Sequence, residues 1–267
     1  MIYKSAIFSL VFLITLLFSN CQKVIDVEVE DADENIVIDA SYNAIEEVVR
    51  VKVTRSLALF GGQNFEPING AVIQITSPDN NVFILDELGD GVYEYSDLAP
   101  QYNTNYVMSA SIEGMDFQAT AFLPNVIPLD SLTQEFIEAS LFGDEGYVVF
   151  MNLTDPGGEN FYRAIREVNG EVLTDLGDQF LFDNSFTQGN SQTVPFFGSR
   201  YEVGDTITVR LRSYSEVASQ YYGDLFSLAG DGGQSAAPAN PRTNWNNEAL
   251  GVFNAFGYDE KTIIIEE

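Results

Sequence analysis

Short apolar runs that alternate with turn residues restrict the fold of this chain more than any other feature. After Asn35, runs rich in Val, Ile, Phe and Tyr occupy residues 36–38, 48–54, 71–76, 82–85, 92–95, 106–112 and 117–123. The separators include Asp90-Gly91 and Glu113-Gly114, which favour tight turns between strands. Short strands in such close succession predict an immunoglobulin- or transthyretin-like β-sandwich over residues 35–124.

Two prolines, Pro124 and Pro128, follow the last of these runs and predict a domain boundary. The remainder, residues 125–267, is predicted to be a second β-rich domain, with strands at 134–139, 147–153, 161–168 and 206–212. Asn169-Gly170 predicts a β-hairpin, because Asn and Gly readily take the positive φ angles of a type I′ turn. The final runs, 250–255 and 262–265, predict a closing hairpin.

One helix is predicted near residues 214–229. Apolar and aromatic side chains recur there at helical spacing, namely Tyr214, Val217, Ala218, Tyr221, Tyr222, Leu225 and Leu228. Ser213 and Glu216 have the spacing of a capping box, and Gly230 suits the end of a helix. The tyrosines could form a ligand platform, but tyrosines on an apolar helix face more often pack in a core.

The first 20 residues predict a signal peptide. Residues 6–18 form an apolar run that is shorter than the roughly 20 residues needed to span a bilayer. Cys21, the single cysteine of the chain, follows directly and is the predicted site of lipidation. The alternative is an ordinary secretory signal with a free cysteine nearby. Residues 21–34 are rich in acids and predict a solvated tether between the lipid anchor and the body.

The charge balance excludes some classes of function. Twelve basic against 40 acidic residues give a formal charge of −28, which repels nucleic-acid backbones. The chain has no histidine, so the usual general base of nucleophilic catalysis is missing. We therefore predict that the protein is not an enzyme and needs no cofactor. A hydrolase that acts on glycans through two carboxylates is the chemically allowed alternative.

Two loops carry candidate binding residues. Trp245, between Asn244 and Asn246, could stack on a sugar ring or a partner protein, or it could plug the end of a sandwich. Asp155, Glu159 and Asn160 offer the oxygen ligands that calcium prefers. An acidic turn that uses Asp and Gly for its backbone geometry is the favoured interpretation of this second loop.

Several sequence blocks, in order, resemble the domain-of-unknown-function 4249 lipoproteins of Bacteroidota. They are residues 21–26, 67–75, 91–93, 123–124, 127–132 and 246–255. The resemblance implies an envelope lipoprotein in which only the lipidated Cys21 has an assigned role. The segment around Gly70-Ala71-Val72 also looks like a non-catalytic transthyretin-like module. Family members are often encoded beside TonB-dependent transporters, which implies an accessory role in uptake.

The leading hypothesis is thus a lipid-anchored protein of the outer membrane, exposed to the periplasm or the cell surface. It would act as a binding or accessory module and partner a TonB-dependent transporter in nutrient uptake. A glycan-active hydrolase and a surface adhesion or structural lipoprotein are the alternatives.

Overall fold

The computed structural model describes residues 35–57, 65–139, 144–175, 178–229 and 240–267. The predicted signal peptide, Cys21, the acidic tether and Gly230 lie outside the described residues. Glu34–Glu267 forms one compact unit. No helix in the described ranges is both long and apolar enough to cross a membrane.

The described residues form a mainly β structure with one helix, as the sequence predicts. In the first half the strands are β1 (Ile36–Asn43), β2 (Val48–Arg55), β3 (Val72–Thr76), β4 (Val82–Ile84), β5 (Asp86–Gly89), β6 (Val92–Tyr95), β7 (Thr104–Ile112) and β8 (Met115–Leu123). In the second half they are β9 (Leu129–Ile137), β10 (Gly146–Thr154), β11 (Phe161–Val168), β12 (Glu171–Val172), β13 (Phe180–Asp183), β14 (Ser191–Pro195), β15 (Thr206–Tyr214) and β16 (Phe253–Ile264), with helix α1 (Glu216–Ala229) between the last two.

The strands form three sheets. The largest has the order β12-β11-β15-β16-β1-β2-β6-β5, with β13 also paired to β11. The second has the order β4-β3-β7-β8, and the third the order β14-β10-β9. Strands β5, β13 and β14 are absent from the prediction. β5 has no buried residue and β13 and β14 are only half-buried, so their hydrophobic alternation is weak.

Strand β16 joins the two halves of the chain within the largest sheet. Its first residues run parallel to β1, with Phe253 opposite Ala40, and its remainder runs antiparallel to β15, with Glu260 opposite Arg210. The predicted closing hairpin is therefore wrong, because residues 253–264 form one continuous strand. Polar residues in its second half are tolerated because one face of that half is open to solvent.

The buried apolar residues form two large cores, one built mainly by residues before position 124 and one by residues after it, and a small third cluster of Tyr214, Ala218 and Phe256. The first contains the inward faces of β1, β2, β3, β7 and β8. The second contains those of β10, β11 and β15, together with Ile127 and Leu129. The first core also contains three residues from near the C-terminus, namely Trp245, Phe253 and Ala255. Apart from this C-terminal segment, the two large cores are divided at residue 124, where the sequence predicts a domain boundary. That the two parts are separate domains stays a prediction.

Two local predictions can be compared directly with the structure. The hairpin at Asn169-Gly170 is confirmed, since both residues have positive φ, 51° and 89°, between paired β11 and β12. The helix forms as predicted, but the predicted capping residue is wrong. The Oγ of Ser215, and not that of Ser213, accepts a hydrogen bond from the Ala218 amide at 3.3 Å. Ser213 belongs to β15, and its Oγ accepts the Ile127 amide at 3.1 Å.

Candidate functional site

A cleft of about 410 Å³ opens where β8, the chain that follows it and the start of α1 meet. Its apolar wall consists of Phe122, Pro124, Ile127, Phe161, Tyr214 and Val217. Its polar lining consists of Asn105, Thr120, Glu159, Asn160, Ser213, Ser215 and Glu216. Apolar walls with a few polar groups are typical of binding sites for small molecules and extended peptides.

Two of the apolar side chains that line this cleft are exposed to solvent. In β8, Phe117, Ala119, Ala121 and Leu123 face the first core, so Phe122 points to the other side and is 39% exposed. Val217 lies in the first turn of α1 and is 45% exposed. Both side chains line the same cleft, although about 95 positions separate them in the sequence.

Some polar groups of the cleft are already used by the fold, and others are free. Ser215 caps α1, and the backbone amide of Asn160 donates to Asn184 Oδ1 at 2.9 Å. Within the described residues, the side chains of Asn105, Thr120 and Glu159 make no hydrogen bond or ion pair. These three side chains can therefore bind a ligand without breaking contacts of the fold.

A second cleft of about 760 Å³ adjoins the first. The two share Phe122, Pro124, Ile127, Glu159 and Asn160, and the second extends to Tyr102 and to the loop at Pro156. Together they form one groove, which we call the junction groove. It lies between the parts of the chain that contribute to the two cores.

Trp245 lies in the first core and not on the surface. It is 5% exposed, and its Nε1 donates a hydrogen bond to the Ile38 carbonyl oxygen at 3.0 Å. Its ring lies 6.5 Å from that of Phe253. Of the two roles that the sequence leaves open, the structure favours the plug of a sandwich, because a buried indole offers no face to a ligand. This corrects the prediction of Trp245 as a ligand-binding residue.

The amides beside Trp245 hold its segment against β8. Asn244 Nδ2 donates to the carbonyl oxygens of Thr120 and Phe253, at 2.9 and 2.8 Å, and its Oδ1 accepts the Phe253 amide. Asn246 Oδ1 accepts the Gln118 amide at 2.7 Å. Asn244 has little capacity left for a ligand. Asn246 is exposed, and a ligand contact by this residue stays a prediction.

Asp155 is the centre of a buried hydrogen-bond network. It is 2% exposed. Its Oδ1 accepts the amides of Gly157 and Gly189, and its Oδ2 accepts Tyr162 Oη and Asn184 Nδ2. Burial by itself raises the pKa of the Asp155 carboxyl, but these four hydrogen bonds outweigh it and lower the pKa below its ordinary value.

This network bears on the predicted calcium site at Asp155, Glu159 and Asn160. Both carboxylate oxygens of Asp155 already have two donors each, in the positions that a cation would need. In the described part of the chain, no three Asp, Glu, Cys or His side chains are placed to hold a metal ion. The structure thus supports the acidic-turn interpretation. Calcium binding stays a prediction that the geometry does not favour.

The family of this protein is identified from its sequence. The model of a domain of unknown function, DUF4249, matches residues 22–262, which is most of the chain. The protein belongs to the DUF4249 family. The match confirms the resemblance noted from the sequence blocks, and the strand-rich fold is the structure that this family member adopts. No curated protein matches the DUF4249 protein in sequence.

Solved structures similar to the DUF4249 protein include three at low sequence identity. A DUF4785 family protein from Legionella pneumophila aligns with 67% of this chain and 52% of its own at 11% identity and a TM-score of 0.26. The FN1-FN3 domains of chicken CNTN1 align with 69% of this chain and 63% of their own at 9% identity and a TM-score of 0.27. The chicken interferon gamma receptor alpha chain aligns with 68% of this chain and 89% of its own at 8% identity and a TM-score of 0.20.

The DUF4249 protein therefore spans about half to two thirds of the length of the first two structures. These TM-scores are too low for the similarities to bear on function.

Sequence reasoning missed the junction groove, although one local signal was present. Phe122 breaks the alternation of β8, because an aromatic residue occupies a position whose neighbours at 118 and 120 are polar. An apolar residue on the solvent face of a strand is such a signal. Val217 had no comparable signal, since it fits the apolar spacing of the helix.

Proposed function

We propose that this DUF4249 protein is a non-catalytic binding module of the cell envelope, which holds part of a ligand or partner protein in the junction groove. One observation carries the proposal. Phe122 and Val217 are exposed and line one concave surface, next to the free polar side chains of Asn105, Thr120 and Glu159. Apolar contacts would supply affinity there, and the polar groups would fix the orientation of the ligand.

The cellular setting of the proposal rests on the family and on the N-terminal sequence. A lipid on Cys21 would hold the protein at the outer membrane, and the acidic segment 21–34 would separate the anchor from the body. A TonB-dependent transporter is the proposed partner. The module would then act as an accessory in nutrient uptake.

The partner is tested by affinity purification of the full-length protein from its own envelope in mild detergent. Wild type is compared with Phe122→Gln, which makes the groove polar, and with Phe186→Gln. Phe186 is 98% exposed and lies outside the groove lining, so it is a matched control. We expect a transporter to be recovered with wild type and Phe186→Gln and lost with Phe122→Gln. Equal recovery with both variants would refute a role for the groove.

The anchor is tested separately by labelling with a radioactive fatty acid. Wild type is expected to take up label and to partition into the detergent phase, whereas Cys21→Ala is expected to do neither. A wild-type protein that carries no lipid and stays in the aqueous phase would contradict the anchor but would leave the groove untouched.

A second candidate function, carboxylate-based hydrolysis of glycans, is favoured by one observation. Glu159 and Glu216 both line the smaller cleft, and two carboxylates are the minimum machinery of a glycosidase. Activity on a glycan panel that is lost in both Glu159→Gln and Glu216→Gln would establish this function. Activity in neither the wild type nor the variants would leave the binding module as the better account.

A further inference from the structure

A smaller polar cavity of about 260 Å³ lies on the face of the largest sheet that is turned away from the first core. Strand β1 builds its floor by alternation. Ile38, Ala40 and Tyr42 are buried in the core, so Asp39, Ser41 and Asn43 point to the opposite side and line the cavity. Tyr222 of α1 and Phe256 of β16 complete part of its wall.

Arg212 is the unusual residue of this cavity. Its guanidinium lies over the ring of Phe256, 4.4 Å from the ring centroid. Within the described residues the side chain of Arg212 makes no hydrogen bond or ion pair, and its Nε is buried without an acceptor. Leaving such a donor unpaired costs stability, because water no longer compensates it. Each of the other described arginines donates at least one side-chain hydrogen bond.

Arg212 differs from its neighbours because its guanidinium donates no hydrogen bond. Arg163, its register partner on β11, also has no carboxylate and a buried Nε without an acceptor, but its terminal nitrogens donate to Gln179 and Tyr214. Arg210, two residues earlier on the same face of β15, pairs with Glu260 at 2.6 Å and with Glu167 at 3.1 Å. Arg50, which also lines the cavity, pairs with Glu94 at 2.5 Å. Arg212 is therefore the cation of the cavity that forms no ion pair among the described residues, although the carboxylates of Asp39 and Glu46 line the same cavity.

The cavity also holds acceptors and hydroxyls that the fold does not use. In the described part of the chain, the side chains of Asp39, Ser41 and Tyr222 have no hydrogen-bond partner. Asp39 is exposed at the cavity, but the protein atoms around its carboxyl exclude part of the water. This desolvation raises the pKa of the Asp39 carboxyl above its ordinary value. Asp39 and Arg212 line one cavity, but the described residues show no ion pair between them. Glu46 lines the cavity as well, so two carboxylates and the Arg212 guanidinium face the same small space, with no ion pair between them among the described residues.

A buried amide beside the cavity has the same unused capacity. Asn254 is the register partner of Ser41, and it points away from the core that holds Phe253 and Ala255. It is 1% exposed, and neither of its amide atoms has a partner among the described residues. Buried amides are almost always hydrogen-bonded, so this face of the sheet has polar groups in excess of what the fold requires.

We propose that this cavity binds a small zwitterion, a free amino acid or a short peptide, with its carboxylate on Arg212 and its ammonium group on Asp39. A guanidinium presents paired N–H donors that match the two oxygens of a carboxylate, and charge-assisted hydrogen bonds of this kind are strong. The hydroxyls of Ser41 and Tyr222 are placed to bind the remaining polar atoms. The site is separate from the junction groove and does not depend on its function.

Calorimetric titration of the full chain in mild detergent tests this proposal. The probes are the common amino acids, a set of dipeptides, and analogues of the best binder that carry only the carboxylate or only the ammonium group. We expect saturable binding of an amino acid or a dipeptide, and at least tenfold weaker binding of both analogues. The relative affinities of amino acid and dipeptide distinguish the two sources of the zwitterion. Absence of saturable binding by every probe would overturn the proposal.

Variants locate the site. Arg212→Gln and Asp39→Asn are each expected to weaken binding by about tenfold or more, because each removes one charge-assisted contact. Arg210→Gln, on the same face of the same strand, is the matched control and is expected to bind as wild type does. Each variant is first shown by circular dichroism to be folded. Wild-type affinity in Arg212→Gln, or equal losses in Arg212→Gln and Arg210→Gln, would overturn the assignment.

Discussion

At the scale of single residues, the carboxylate of Asp155 stabilises its loop by accepting four hydrogen bonds. Asp155→Asn replaces one acceptor oxygen by a donor that faces the donors Tyr162 and Asn184. We expect the variant to lose about 1–3 kcal/mol of stability at pH 7, measured by urea unfolding. Asp116→Asn, at an exposed position on β8, is the control and is expected to change stability by less than about 0.5 kcal/mol.

The same network predicts that the free energy of unfolding depends on pH. The pKa of the Asp155 carboxyl is lowered in the folded state. The ionised carboxylate therefore contributes its full stabilisation at pH values above the pKa of an aspartate in the unfolded chain, about 3.9. That contribution is lost as the pH falls through the lower, folded-state pKa. The difference in unfolding free energy between wild type and Asp155→Asn is therefore expected to shrink below about pH 4. A difference that stays constant from pH 7 to pH 3 would contradict the lowered pKa.

Trp245 allows a second test at this scale. Trp245→Ala removes a buried indole and its hydrogen bond to Ile38, so we expect a loss of about 3–5 kcal/mol in urea unfolding followed by circular dichroism. Phe186→Ala removes a fully exposed ring and is expected to be neutral within about 0.5 kcal/mol. Since Trp245 is the single tryptophan of the chain, acrylamide should quench wild-type fluorescence poorly until the protein unfolds. Efficient quenching of the folded protein would place the indole at the surface.

At the scale of elements, the start of α1 depends on Ser215. Ser215→Ala removes the side-chain acceptor of the Ala218 amide and is expected to cost about 1 kcal/mol in thermal or urea unfolding. Ser227, later in the same helix, bonds back to the Gly223 carbonyl oxygen, and Ser227→Ala is expected to cost nothing measurable. Equal effects of the two changes would mean that Ser215 does not cap the helix.

The segment that leads into β16 passes close to the backbone of β1 at Gly251. This glycine has φ +94°, and a Cβ there would collide with the carbonyl oxygen of Ile38. Gly114, in the turn between β7 and β8, has φ +81° but open space around the same position. Gly114→Ala is expected to cost about 1–2 kcal/mol from backbone conformation alone. Gly251→Ala is expected to cost clearly more, and similar values for both in urea unfolding would contradict the close approach.

At the scale of the whole molecule, the first core requires residues from the end of the chain. Without β16 and Trp245, strand β1 lacks one neighbour and the core lacks Trp245, Phe253 and Ala255. A fragment of residues 35–124 is therefore expected to remain unfolded, with little chemical-shift dispersion in its ¹H–¹⁵N spectrum, whereas residues 35–267 give a dispersed one. A dispersed spectrum and a cooperative transition from the fragment would instead support an independent domain that ends at residue 124.

Sequence patterns are sufficient to predict the fold class, most strand positions, the helix and the turn at Asn169-Gly170. Each of these depends on residues within a few positions of one another, through side-chain alternation, helical spacing or the φ angles of a turn. The family also followed from sequence alone, since its blocks keep their order along the chain.

The roles of Trp245 and Asp155, the continuity of β16 and the two candidate binding sites become visible only in the folded chain. The indole of Trp245 meets its acceptor Ile38 across 207 positions of sequence, and Phe122 meets Val217 in one groove only after the two halves have folded. The missing partner of Arg212 is visible only when every nearby side chain is placed. Burial and hydrogen-bond pairing depend on which distant residues become neighbours, and no local pattern in the sequence encodes that.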